Sequence, residues 1–293
     1  MKKYKQIIPL VIILGIVGIT FITKQCKNQP QASTQVVPSN GEYVAVSNAG
    51  NPDIHIALGT PTDNSPDDEH LLKRAQYVLS YNPDKHNPNW VSWNLSAYWY
   101  GEAERHKGQF MPDPELPRSI YHVTHRDYTG SGFDRGHMVR SEERTRNDED
   151  NTSTFYTTNL LPQYHELNAG PWLKLEDFCQ YLCKRKSKEL YVIAGPIYSQ
   201  DMGTIGNDVV VPSECFKIVV ILEKGQGLKD INQNTRIIAV LMPNRTDIAN
   251  EQWRTYETTV RDIEKATGYN FLSNVSKELQ DILENRKSSD ENM

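Results

Sequence analysis

The chain has 293 residues, 38% of them apolar and 24% charged. That length exceeds any peptide or disulfide mini-protein, and the composition excludes both a polytopic membrane protein and a wholly disordered chain. A net charge of -5, from 32 basic and 37 acidic residues, excludes a protein that simply coats nucleic acid.

The charge is unevenly spread. Lys2, Lys3, Lys5, Lys24 and Lys27 fall in the first 27 residues, and the remainder holds 27 basic against 37 acidic residues, a net of -10. A polyanionic partner therefore needs a local basic site. Residues 7–22 form a 16-residue run without a charge. Between those lysines it has the form of a signal h-region or an N-terminal anchor, slightly short of the roughly 17–25 residues of a full span. Thr23, Lys24 and Gln25 lack the small apolar character of a lipidation site before Cys26. The positive-inside rule places the lysines in the cytoplasm and the body outside it. We therefore expect a signal or membrane anchor over 1–27, a polar linker over 28–51 and an extracytoplasmic body over 52–285. Residues 286–293 form a polar tail.

Residues 70–79 suit either a helix or an extended arm. The aromatic run 90–100 predicts a strand with Trp90, Trp93 and Trp99 in the core. Three prolines make 110–118 a loop, 119–125 returns as a strand, and Gly130-Ser131-Gly132 is a turn. Apolar residues three and four apart predict a helix over 168–184. Residues 190–194, 216–222 and 236–242 predict central strands, and 260–267 and 275–284 predict helices. Cys179 and Cys183 fit core packing. An oxidising compartment permits one disulfide among Cys179, Cys183 and Cys215, with the pair left open.

Chemistry-bearing residues are densest from Ser131 to Met138, followed by Asn159 to Gln163, Asn168 and Glu176. Histidine is the proton acceptor of neutral pH. Arginine pairs its donors with phosphate, and Asn and Glu offer oxygens to a hard cation. Together these are the parts of metal-assisted phosphodiester hydrolysis. Spacing alone leaves plainer readings open: Asp134-Arg135-Gly136-His137 as a salt-bridged turn, Asn168 as a helix N-cap, Glu176 as a surface helix residue.

The chain resembles the DNA/RNA non-specific endonuclease family, the ββα-metal nucleases, most nearly its cyanobacterial sugar-non-specific branch. The resemblance runs over roughly 52–285. Its pieces are Asn89-Trp90-Val91-Ser92-Trp93, the Gly101-to-Arg105 run, Ser131 to His137, Arg144-Thr145, Thr154-Phe155, Asn159 to Gln163, Asn168 to Glu176, and Gly268 to Val275. It implies an α+β ββα-metal (His-Me finger) fold, with a central antiparallel sheet flanked by helices. It implies that His137 is the general base and that Asn168 is the single protein ligand of one Mg²⁺ or Mn²⁺. It gives Glu176 a metal-bound water, and Arg105 and Arg135 the phosphate. DNA and RNA, double- or single-stranded, become the substrates, and a protein inhibitor becomes a candidate partner.

Residues 105–146 hold eight basic against six acidic residues, the local basic site the charge balance demands. We therefore expect Arg140, Arg144 and Arg146 at the substrate. Met138-Val139-Arg140 departs from the family's apolar residue followed by Ala-Pro, which bears on substrate preference. Asn168 and Glu176, if on one straight helix, stand about 12 Å apart along it. One direct ligand and one water-mediated partner then fit better than two direct ligands.

Overall fold

The computed structural model describes residues 50–63 and 65–288. The expected anchor, nearly all of the expected linker and most of the polar tail lie outside the described residues. Among the described residues no helix is long and apolar enough to cross a membrane.

Seven strands build one antiparallel sheet: β1 (His70–Lys73), β2 (Val78–Asn82), β3 (Asn87–Leu95), β6 (Lys188–Ile197), β9 (Glu214–Glu223), β10 (Arg236–Pro243) and β11 (Glu257–Thr258), side by side in that order. Side chains alternate between two faces along each strand. Val91, Trp93, Leu190, Val192, Val219, Ile238 and Val240 join one core layer. Their neighbours Trp90, Tyr191, Ile193, Phe216, Ile218 and Ile237 join a second layer on the opposite face. Because both faces are covered, these strands appear as near-continuous apolar runs rather than clean alternations.

The first face carries α3 (Leu173–Lys186) and packs Trp172, Leu175, Cys179 and Cys183 into its layer. The second carries α4 (Val260–Thr267), ended by Gly268 in the left-handed conformation, and packs Leu283 of α5 (Lys277–Leu283). A separate two-stranded ribbon pairs β4 (Asp134–His137) with β5 (Leu160–Gln163), with the short helix α1 (Asp148–Ser153) between them in sequence, and a second small ribbon pairs β7 (Thr204–Ile205) with β8 (Val209–Val210). The β4–β5 ribbon and the helix after it hold the residues singled out above.

Several expectations change. The stretch 70–79 is extended, as β1, a tight turn and the start of β2. Residues 119–124 form no strand. Ile120 closes a turn onto Pro117, and Thr124 with Asp127 caps a 3-10 helix over His125–Tyr128 instead. The strand expected over 90–100 ends at Leu95 and gives way to a 3-10 turn, with Trp90, Trp93 and Trp99 in the core as expected. The helix expected over 168–184 is broken into α2 (His165–Leu167), a π-helical turn (Asn168–Trp172) and α3. Cys179, Cys183 and Cys215 are buried free thiols, so no disulfide forms among them.

Candidate active site

The β4–β5 ribbon is fixed from below. Asn159 accepts the Val139 amide at Oδ1 and donates from Nδ2 to the Val139 and Thr154 carbonyls, while its own carbonyl takes the Met138 amide. These bonds hold the end of β4 and therefore His137. A Cβ on Gly136 would lie 2.1 Å from Gln163 Oε1, so any other residue between Arg135 and His137 would have to displace that buried side chain. Arg135 and His137 are two apart on one strand, so their side chains share a face of the ribbon.

His137 sits against the Phe110 and Phe155 rings, at 5.2 and 5.4 Å between centroids. Among the described residues its Nε2 is buried without a hydrogen-bond partner. Among the described residues nothing bonds its Nδ1, and that atom is not sealed in. Nδ1 is thus the nitrogen available to chemistry. Burial, and then the Arg105 guanidinium, pull the imidazole down to about 3 from its ordinary 6.5, with Glu142 opposing. The ring is held neutral.

Arg105 lies over Phe155, 5.0 Å from the ring, and bonds Ser141 and Glu142 through Nη1. Half its side chain remains exposed. Arg135 donates from Nη2 to the His125 carbonyl, to His125 Nε2 and to Thr129, while lying over Phe110 and Tyr128. Arg105 and Arg135 thus lie over the two rings that pack against His137.

Asn168 opens the π-helical turn. Pro171 lacks an amide hydrogen to continue an α-helix. Gly170 adopts φ -98°, ψ -120° and lets the turn press on Ala249, whose Cα would lie 3.0 Å from a Cβ at this position. Such π-turns recur at functional sites. The break also means that Asn168 and Glu176 are not on one straight helix, so the separation drawn from ideal geometry does not apply.

Sequence reasoning gave Asp134 no role, and the structure supplies one. Its Oδ2 accepts from Asn168 Nδ2 at 2.9 Å and sits 2.8 Å from His165 Nδ1. An amide that donates through nitrogen must direct its oxygen elsewhere, and among the described residues nothing bonds Asn168 Oδ1. That leaves an oriented, neutral oxygen donor suited to a hard cation. Among the described residues no group of three or more His, Cys, Asp or Glu side chains forms a metal cage. Any cation at Asn168 is therefore completed by other ligands.

Glu176 lies inside α3 and is buried; Lys217 Nζ approaches its Oε1 at 3.3 Å. Burial raises its carboxyl above the ordinary range, and Lys217 and Arg140 pull the other way. Glu143, buried nearby and bonded by Trp93 Nε1 at 3.0 Å, is pushed up to about 7 by burial and then by Glu176.

The remaining arginines divide. Arg140 is tied to Glu142 at 3.1 Å and to Asp177 at 2.7 Å. Arg146 pairs with Asp150 at 2.7 Å over the Tyr98 ring. Arg144 corrects the expectation of a substrate contact. It is fully buried, stacked 4.1 Å from Trp99, and its guanidinium donates to the carbonyls of Gln76, Asn94 and Glu143. It ties the segment after β4 to β3 and cannot reach substrate.

A family profile described as DNA/RNA non-specific endonuclease matches residues 55–278. A nuclease of Nostoc sp. is 44% identical over 238 residues, covering 80% of this chain and 85% of the relative. The mitochondrial nuclease EXOG of Xenopus laevis is 34% identical over 214 residues, or 69% of this chain and 58% of the relative. Among solved structures, the EndoG/EndoGI complex aligns with TM-score 0.66 at 24% identity, covering 80% of this chain and 96% of that one, and so agrees in fold. With a profile spanning most of the described body and a relative at 44% identity, the chain belongs to the DNA/RNA non-specific endonuclease family.

Proposed function

We propose that this endonuclease hydrolyses phosphodiester bonds with His137 as general base and one hydrated divalent cation, Mg²⁺ or Mn²⁺, held by Asn168. The observation that supports the reading is that two atoms have no partner among the described residues: His137 Nδ1 on β4, and Asn168 Oδ1, whose amide is oriented by Asp134 of the same strand.

His137 starts neutral, so Nδ1 can accept a proton from a water as that water attacks phosphorus. Arg105 and Arg135 place donors on either side of the imidazole and balance the charge that grows on the phosphate oxygens. Asn168 supplies a neutral ligand, leaving the cation's charge undiminished. When bound, the cation stabilises charge on the phosphate and the leaving oxygen. Glu176 directs its free oxygen, Oε2, to a water of the same site. Contacts that address phosphate rather than base edges give little sequence preference and serve DNA and RNA alike.

Two further readings go with this one. The EndoG structure is a complex with EndoGI concerned with EndoG inhibition. A protein inhibitor is the corresponding proposed partner here. Export or anchoring through residues 7–22 is proposed from their charge-free run between lysines.

The metal role is tested by titrating Mg²⁺ into EDTA-stripped protein with plasmid DNA and RNA as substrates. Asn168→Ala is expected to require at least tenfold more Mg²⁺ for half-maximal cleavage. A wild-type titration curve for that variant would refute the ligand assignment.

A further inference from the structure

Strand β9 runs Glu214 to Glu223 through the centre of the sheet, and its odd positions face the layer beneath α3. Cys215 and Val219 obey that pattern. Lys217, between them, does not. It is 1% exposed on an apolar face of a central strand. A lysine is almost never fully buried unless paired, and an apolar residue of similar size is often the more stable choice at such a site.

Its surroundings give the reason. The ammonium lies 4.0 Å from the Trp172 ring centre and 5.7 Å from that of Trp93. Both rings present their negative faces to a cation. Its one hydrogen bond among the described residues goes to Glu176 Oε1 at 3.3 Å. The other oxygen, Oε2, has no partner among the described residues and is not sealed from solvent. Trp172 closes the π-helical turn that begins at Asn168. The same lysine therefore touches the last residue of the Asn168 turn and the carboxylate of Glu176.

We infer that Lys217 is a positioning residue of this endonuclease. Held over the Trp172 and Trp93 rings, it fixes Glu176 by one oxygen and leaves the second oxygen without a partner among the described residues. This rests on the role proposed above for Glu176. Arg140 is the other cation acting on Glu176, and it is itself committed to Glu142 and Asp177. Lys217 is thus the contact that fixes the side chain from within the core.

The test is a double-mutant cycle on the full chain. Lys217→Met, Glu176→Gln and the double variant are compared for kcat on an oligonucleotide duplex, for Mn²⁺ affinity by electron paramagnetic resonance, and for thermal midpoint. Lys217→Met is expected to lower kcat or Mn²⁺ affinity by about 10–100-fold, with the double variant no worse than Glu176→Gln alone, and Lys217→Arg recovering part of the loss. Where Lys217→Met fails to fold, Lys217→Leu, which likewise removes the donor to Oε1, carries the same comparison. Losses that multiply in the double variant would overturn the inference, as would a folded Lys217→Met or Lys217→Leu protein with wild-type kcat and Mn²⁺ affinity beside an impaired Glu176→Gln. A Glu176→Gln protein of wild-type activity would instead remove the role of Glu176, and that of Lys217 with it.

Discussion

At the scale of single residues, environment decides what each group can do. His137 and His165 are both histidines of the same region, yet of the two only His137 is packed against the Phe110 and Phe155 rings beside Arg105. A base must be unprotonated to work. Because the His137 pKa is depressed to about 3, protonation switches the base off only well below pH 6.5. We expect kcat, measured where the protein is folded, to hold between pH 7 and pH 5. The acid limb anticipated for an ordinary histidine is thus displaced downward. A pH–rate profile with its midpoint near 6.5 would show that the imidazole is not shielded in this way. Arg144 teaches the complementary lesson. A basic residue in a locally basic segment looked like a phosphate contact, and only the fold shows its donors spent on backbone carbonyls.

At the scale of elements, long periodic segments were accessible from sequence and short ones were not. The strands around 190–194, 216–222 and 236–242 and the helix over 260–267 emerge because apolar runs and a terminal glycine leave few alternatives. The π-helical turn does not, since Gly170 and Pro171 had to be weighed against an otherwise convincing helical repeat. His137, Asn168 and Glu176 stand out in the sequence only through the order of the family's motifs. Asp134 and Lys217 escaped because their partners, Asn168 and Glu176, lie 34 and 41 residues away. The signal for Lys217 was present all the same, as a lone charge inside an apolar strand.

The first described element, a 3-10 helix over Pro52–Ile56, is fixed to the sheet through His55. Its Nδ1 accepts the Asn94 amide at 3.0 Å, so Nε2 carries the proton and donates to the Ala75 carbonyl at 2.9 Å. Burial, then Arg144, lowers its pKa from 6.5 to about 3. The unfolded chain therefore takes up a proton below pH 6.5 that the folded one refuses. The His55 contribution is complete above pH 6.5 and declines as pH falls toward 3. Glu143 and Glu284, each raised to about 7, act in the opposite sense. The comparison must therefore be a difference. Urea unfolding of His55→Gln and wild type between pH 6.5 and 4.5 is expected to show the variant losing less stability per pH unit, by up to about 1.4 kcal/mol. Parallel curves would mean that His55 is not buried neutral.

At the scale of the whole molecule, a chain of net charge -5 acts on polyanions because its basic groups are placed rather than numerous. The β4–β5 ribbon carries Arg135 and His137, Asn168 opens the turn whose amide bonds Asp134 of that ribbon, and Glu176 follows in α3. The most direct test of the central claim is single-turnover cleavage of duplex DNA and of RNA by His137→Ala in saturating Mg²⁺, with its fold checked by thermal midpoint. We expect both activities to fall by at least about 100-fold, the scale of a lost general base, with the midpoint near wild type. A folded variant that still cuts either substrate at the wild-type rate would contradict the assignment of His137 as the base.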